Sequence, residues 1–190
     1  MEGYGSDKPD LRFNLELVDV SEEACAGSFK VFSSTVEKGG VVKAVRGPGL
    51  AGFSRKEIGE LEQVAQRHGA HGLAWLKWTE EGLSGSFAKF FEEGPLQALA
   101  EASGAKPGDL ILFVAADRGP ANTALGQVRL AVGERLGLRQ GGNFEFCWIH
   151  RFPLFEWDEE EKTWGAMHHM FTMPREEDLP FLSNDPGRVY

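Results

Sequence analysis

With 190 residues, 42% hydrophobic and 26% charged, the chain has the composition of a good-sized globular domain, or of a small domain with flanking elements, and not of a disordered protein. A net charge of −9 argues against autonomous, non-specific binding to nucleic acid, which needs a basic face; any RNA contact must come from a local patch or a partner domain. No apolar run approaches the roughly 18 residues of a membrane span, the opening MEGYGSDKPD is no signal peptide, and Cys25 and Cys147, without CxxC spacing, read as reduced core thiols of a cytosolic protein.

In chain order, residues 1–13 are polar and turn-rich, and Phe13 to Val18 alternates like a half-buried strand. Phe29 to Val36 reads as a strand, Gly39-Gly40 as a hairpin turn, and Val41 to Val45 as the returning strand. Ser54-Arg55-Lys56-Glu57 is a capping box, in which the Ser and the Glu three residues on each satisfy a free backbone N–H. Ile58, Leu61, Ala65 and His68 then share one helical face, and Gly69 stops the helix. Leu73 to Trp78 and Leu83 to Phe91 read as two more strands, joined by a turn at Glu80-Glu81-Gly82. Pro95 opens a second helix that ends at Gly104. Residues 28–104 therefore run β-β-α-β-β-α, with one antiparallel sheet and the helices at 54–68 and 95–103 expected on one face of it.

The pattern changes after residue 104. Leu110 to Val114 is a continuous apolar run, suited to a strand buried on both faces. A helix follows from about Ala121, with Leu125, Val128, Val132 and Leu136 on one face. Gly126 and Gly133 inside it cost about 1 kcal/mol each relative to Ala and permit close packing. Phe144 to Ile149 reads as an apolar strand, residues 158–161 as an acidic turn, Trp164 to Met167 as a short extended stretch, and Arg175 to Leu182 as a helix. The chain stops at Tyr190 with no closing polar tail and reads as cut.

Two irregular blocks stand out: Gly5-Ser6-Asp7-Lys8-Pro9-Asp10-Leu11-Arg12-Phe13, which reads as a capped, architectural turn, and Met167-His168-His169-Met170-Phe171-Thr172-Met173-Pro174, whose histidines are the sharpest chemical feature. Adjacent histidines on a strand point to opposite faces, and with His68, His71 and His150 they do not give the three or four convergent ligands that zinc needs, so no metal site is expected. One histidine is expected to pack and the other to face solvent or a polar ligand. The acidic residues at 156 and 158–161 read as a solvated turn. Arg46, Arg55, Lys56 and Arg67, with Lys43 and Lys30, form a modest basic cluster near the first helix, and Arg46, Arg55 and Lys56 are the candidates for a phosphate contact. No phosphate-cradling glycine loop and no Ser/His/Asp triad can be assembled.

GSDKPDLRF and MHH.FT.P resemble the bacterial aspartyl-tRNA synthetases, class II ligases, on either side of their inserted GAD domain. The resemblance implies an α+β fold: a two-layer GAD domain at residues 28–104, flanked by incomplete pieces of the catalytic domain at 1–27 and 105–190. It implies that the parent joins L-aspartate to tRNA(Asp) through an aspartyl-adenylate, in the cytoplasm, with ATP and Mg2+ as its cofactors and as a homodimer. His168, the first His of the motif, is the implied L-aspartate contact, and no catalytic residue is carried over. The family's motifs upstream and downstream are absent, so residues 1–190 alone are expected to be inactive and to bind no cofactor. Two positions depart from the family: Met170 stands where HHPFT has Pro, and Arg151 where an Asp precedes Phe-Pro. Trp148, Phe152, Phe155, Trp157, Met167 and Phe171 are expected to pack incompletely. The rival reading is a freestanding GAD-like tRNA-binding or interaction module, related to a subunit of a tRNA-dependent amidotransferase. The net charge and the two flanking blocks count against it.

Overall fold

The computed structural model describes residues 1–141, 144–158, 160–167 and 171–190. They fall into two compact units, Met1–Glu145 and Phe146–Tyr190. The first unit is built on a five-stranded, fully antiparallel sheet, in the order β1-β2-β5-β3-β4. Its strands are β1 (Val18–Asp19), β2 (Val41–Gly47), β3 (Ala74–Thr79), β4 (Gly82–Gly85) and β5 (Leu110–Ala116). Its helices are α1 (Ser21–Ala24), α2 (Lys30–Glu37), α3 (Arg55–Arg67), α4 (Glu93–Ala102) and α5 (Arg118–Arg135). The α+β class, with an antiparallel sheet and packed helices, is thus as expected.

The element order is not. Residues 29–36, expected as a strand, form α2. Their β-branched content suggests a strand, but Phe29, Phe32 and Val36 repeat at helical spacing and pack into one core. The Thr35 hydroxyl donates to Val31 O one turn back, at 2.8 Å. Gly39-Gly40 therefore ends a helix and does not turn a hairpin. Gly39 takes φ +88°, and the N–H groups of Gly39 and Gly40 donate to Val36 O and Thr35 O. Of the two expected hairpins, only β3–β4 forms. The expected strand 83–91 is the short β4 followed by a 3-10 turn at Ala88–Phe90.

The layering also differs. α3 and α5 pack on one face of the sheet, against Val41, Val45, Leu110, Leu112 and Val114. α1, α2 and α4 pack on the other, against Val42, Ala44, Leu76, Ile111 and Phe113. The two helices expected on one face, α3 and α4, therefore lie on opposite faces. β5 dictates this: it lies between β2 and β3 with Leu110 to Val114 all buried, so both of its faces need a helical cover. The sheet accordingly extends past residue 104 to include β5, and α5 packs on it.

On the α2/α4 side the core is a phenylalanine cluster. Phe87 meets Phe32 edge-on at 4.9 Å and Phe113 edge-on at 5.3 Å between ring centroids. On the α3/α5 side the glycines of α5 are contact points. A Cβ at Gly133 would lie 2.7 Å from the Phe13 ring, and one at Gly126 2.8 Å from Tyr4 O.

The second unit centres on a hairpin of β6 (Phe155–Asp158) and β7 (Thr163–Ala166), with Trp157 and Trp164 paired across it at 5.4 Å. The Asp158 carboxylate accepts the N–H groups of Glu160 and Glu161 and shapes the expected acidic turn. The helix expected at 175–182 is a 3-10 helix, Glu176–Phe181, because Pro180 inside it has no N–H to give. Residues 144–149, expected as a strand, have no regular structure; a lone strand has nothing to satisfy its backbone. Of the six residues expected to pack incompletely, Trp148, Trp157 and Phe171 are exposed and the other three are half-buried. Both cysteines are exposed, and neither is the core thiol expected.

Gly133→Ala drives a methyl into the Phe13 ring, and a destabilisation of about 1–3 kcal/mol is expected from overpacking. A chemical-denaturation midpoint unchanged from wild type would refute the close packing of the N-terminal segment on α5.

Candidate functional site

The N-terminal block is held on α5 by one buried guanidinium. Arg129 lies on the inward face of α5 and is 1% exposed. Its Nε donates to Leu15 O at 2.6 Å, and its Nη2 donates to Phe13 O at 2.8 Å and Asp10 O at 2.7 Å. The guanidinium carbon also lies 4.2 Å from the Phe13 ring centroid and 4.7 Å from that of Tyr4. Among the described residues no carboxylate pairs with it directly; carbonyl dipoles and ring faces stand in for a counter-ion, and burial pushes its pKa down. Sequence reasoning missed Arg129. The available signal was a lone Arg one residue after Val128 and three before Val132, on the helix that carries two unusual glycines.

A second set of charges fixes the shape of the block. Arg12 binds the Asp10 carboxylate with Nε at 2.8 Å and Nη2 at 2.7 Å, and Arg139 lies 3.5 Å from the same group. The Arg12 hydrogen bonds hold the Asp10 carboxyl well below the usual carboxylate range. At the start of the chain Glu2 accepts from buried Lys43 at 2.5 Å, from Arg118 at 3.0 Å and from the Asn122 amide at 3.3 Å. These contacts make the block architectural, as its turn-like composition suggests.

The candidate phosphate contacts separate into two kinds. Arg46, on β2, is half-buried and lies 3.7 Å from Asp109. Asp109 in turn accepts the N–H groups of Gly49 and Lys106, so Arg46 belongs to the brace of a turn. Arg55 and Lys56 occupy the first turn of α3 and are exposed, with no ion pair among the described residues. Ser54 and Glu57 form the full capping box there, and the Ser54 N–H and hydroxyl hold the Glu57 carboxyl below its ordinary value. Two further members of the expected basic cluster are displaced: Lys43 is buried and tied to Glu2, and Lys30 sits on α2, on the opposite face of the sheet from α3.

His168, with His169 and Met170, lies outside the described residues. The described residue before them, Met167, leaves β7 with its N–H donating to Leu154 O at 3.0 Å. Arg151, at one of the two departures from the family pattern, has φ +53°, a left-handed conformation that side chains other than glycine rarely adopt. Among the described residues no group of three or more His, Cys, Asp or Glu is placed to hold a metal ion, and no helix is long and apolar enough to cross a membrane.

Residues 32–125, which contain β2 to β5, α3, α4 and most of α2, match the model of the GAD domain family. The chain thus carries a GAD domain, an antiparallel sheet with packed helices. Along its whole length it is homologous to bacterial aspartate–tRNA ligases. It is 50% identical over 189 residues to the aspartate–tRNA(Asp/Asn) ligase of Moorella thermoacetica, a match covering 100% of this chain and 32% of the relative. It is 51% identical over 187 residues to that of Thermodesulfovibrio yellowstonii, covering 98% and 31%. Against the aspartate–tRNA ligase of Ruminiclostridium cellulolyticum it is 45% identical over 190 residues, covering 100% and 32%. The chain therefore spans about a third of the length of the curated relatives it matches.

Two outcomes are expected of this arrangement. Arg129→Met strands two buried carbonyls and one partly buried, and a loss of about 3–5 kcal/mol is expected in urea unfolding; a loss below about 1 kcal/mol would show that the guanidinium does not hold the segment. Asp10, with its pKa depressed below the ordinary 3.8, binds fewer protons folded than unfolded. Its contribution is full above that ordinary value and shrinks as pH falls below it. The stability gap between wild type and Asp10→Asn should therefore be constant from about pH 7 to 5 and close towards about pH 2. A gap that widens on acidification would reverse the assignment.

Proposed function

We propose that this chain is the GAD-bearing third of an aspartate–tRNA ligase, whose whole attaches L-aspartate to tRNA through an aspartyl-adenylate. The observation that carries the reading is the extent of the likeness. It covers the GAD sheet and also the flanks on both sides of it, at about 50% identity. A freestanding GAD module would need neither flank. In this reading His168 contacts the substrate aspartate, ATP and Mg2+ are gripped by parts of the parent outside these residues, and the parent works in the cytoplasm as a homodimer. Arg55 and Lys56, two uncompensated cations at a helix start, are the best-placed phosphate contacts for the tRNA backbone. Arg46, engaged with Asp109, ranks behind them.

The test is a graft. Residues 1–190 replace the matching third of the Moorella thermoacetica ligase, and aspartate-dependent pyrophosphate exchange and tRNA charging are measured. The chimera should retain both activities, and residues 1–190 alone should have neither. In the chimera His168→Ala should raise the aspartate KM and lower kcat/KM by about 10- to 100-fold, the value of one hydrogen bond to a charged group, with little effect on ATP. Arg55→Glu with Lys56→Glu should raise the tRNA KM while leaving exchange unchanged. A folded chimera without exchange activity would sink the reading, and an unchanged aspartate KM in His168→Ala would remove that residue from the pocket.

A further inference from the structure

A groove of about 390 Å³ lies between the β3–β4 hairpin and α4, on the sheet face opposite α3. Trp78, Leu83 and Phe91 line it as partly buried residues packed against the core behind, and Leu96 of α4 lines it as part of that core. Exposed Glu81 and Glu93 line it as well, and exposed Glu80 and Glu92 adjoin them in sequence. None of the four carboxylates is in an ion pair among the described residues. Glu92 and Glu93 suit the positive end of α4. Glu81, in a hairpin turn, has no such reason to be there. Beside the groove, β4 is the last strand of the sheet, with no strand beyond it among the described residues.

We propose that this groove docks a basic, extended segment of a partner protein that presents a lysine or arginine. The match is one of charge and shape. A long cationic side chain lays its aliphatic stem along Trp78, Leu83 and Phe91 and carries its head to the unpaired Glu81 and Glu93. The main chain of such a segment has the free edge of β4 to pair with. The same carboxylates repel a phosphate backbone, which separates this surface from the Arg55 and Lys56 end of α3. The inference is independent of the ligase reading.

The experiment uses the isotopically labelled chain and two synthetic peptides, acetyl-Ala-Leu-Arg-Leu-Lys-Ala-amide and its counterpart with both cations replaced by glutamate. The indole N–H of Trp78, assigned by loss of its signal in Trp78→Phe, is followed through the titration. The basic peptide should give saturable shifts at Trp78 and at the amides of residues 81–84 and 93–97. Glu81→Gln with Glu93→Gln, on an otherwise unchanged spectrum, should weaken binding about 5- to 10-fold, the scale of two exposed ion pairs. High salt on the unmodified chain should weaken it comparably and so checks the charge argument without any substitution. The glutamate peptide should not bind. Four results would overturn the proposal: no shift at Trp78 up to about 5 mM basic peptide, an affinity weaker than a useful contact; equal binding of both peptides; shifts at these residues caused by an RNA duplex; or shifts that follow protein concentration without peptide, which would make the occupant a second copy.

Discussion

A strand buried on both faces needs apolar cover on both faces, and β5 imposes that demand on the whole first unit. Leu110, Leu112 and Val114 enter one core and Ile111 and Phe113 the other. Side chains alternate along a strand, so the same seven-residue element specifies two helical layers. α3 and α5 supply one, and α1, α2 and α4 the other. β2 makes the same demand more weakly, since it too is buried along most of its length between β1 and β5. The edge strands β1 and β4 are short, and neither could hold a sheet together alone.

Arg129 is the exception within that apolar scheme. A guanidinium buried without a carboxylate is costly to desolvate, and here three carbonyls and two aromatic rings compensate it. The carbonyls belong to residues 10, 13 and 15, so the one side chain fixes a segment that has almost no secondary structure of its own. Gly126 and Gly133 let that segment lie directly on the helix, and Phe13, Leu15 and Leu17 seal it into the core. The irregular GSDKPDLRF block is therefore as well determined as a strand, by polar contacts in place of a ladder.

What could be read from the sequence follows from how local each cause is. The capping box at Ser54, the stop at Gly69 and the β3–β4 turn are set by neighbours in the chain, and all were legible. The periodicity of α3 and the continuous apolar run of β5 were equally plain. The α2 segment is ambiguous in sequence because its β-branched composition favours a strand while the spacing of Phe29, Phe32 and Val36 favours a helix, and packing decides for the helix. The layering is less legible: the apolar run of β5 shows a doubly buried strand, but nothing local to it shows that it forms the centre of the sheet begun by β2. Arg129 was invisible because its partners lie 114 to 119 residues away. The same holds for the candidate cations: Arg46 and Lys43 look free in sequence, and only the fold brings Asp109 and Glu2 to them.

The fold also sorts the surface charge of an acidic chain. Ion pairs and buried contacts consume Arg46, Lys43, Arg118, Arg135 and Arg139, whereas Arg55 and Lys56, at the start of α3, have no ion pair among the described residues. On the opposite face the unpaired carboxylates of the β3–β4 turn and of α4 adjoin one apolar groove. Because both helices pack on the same sheet from opposite sides, a polyanion drawn to the start of α3 and a cationic segment drawn to α4 would not compete for one surface. That separation follows from the double burial of β5, which puts α3 and α4 on opposite faces of the sheet.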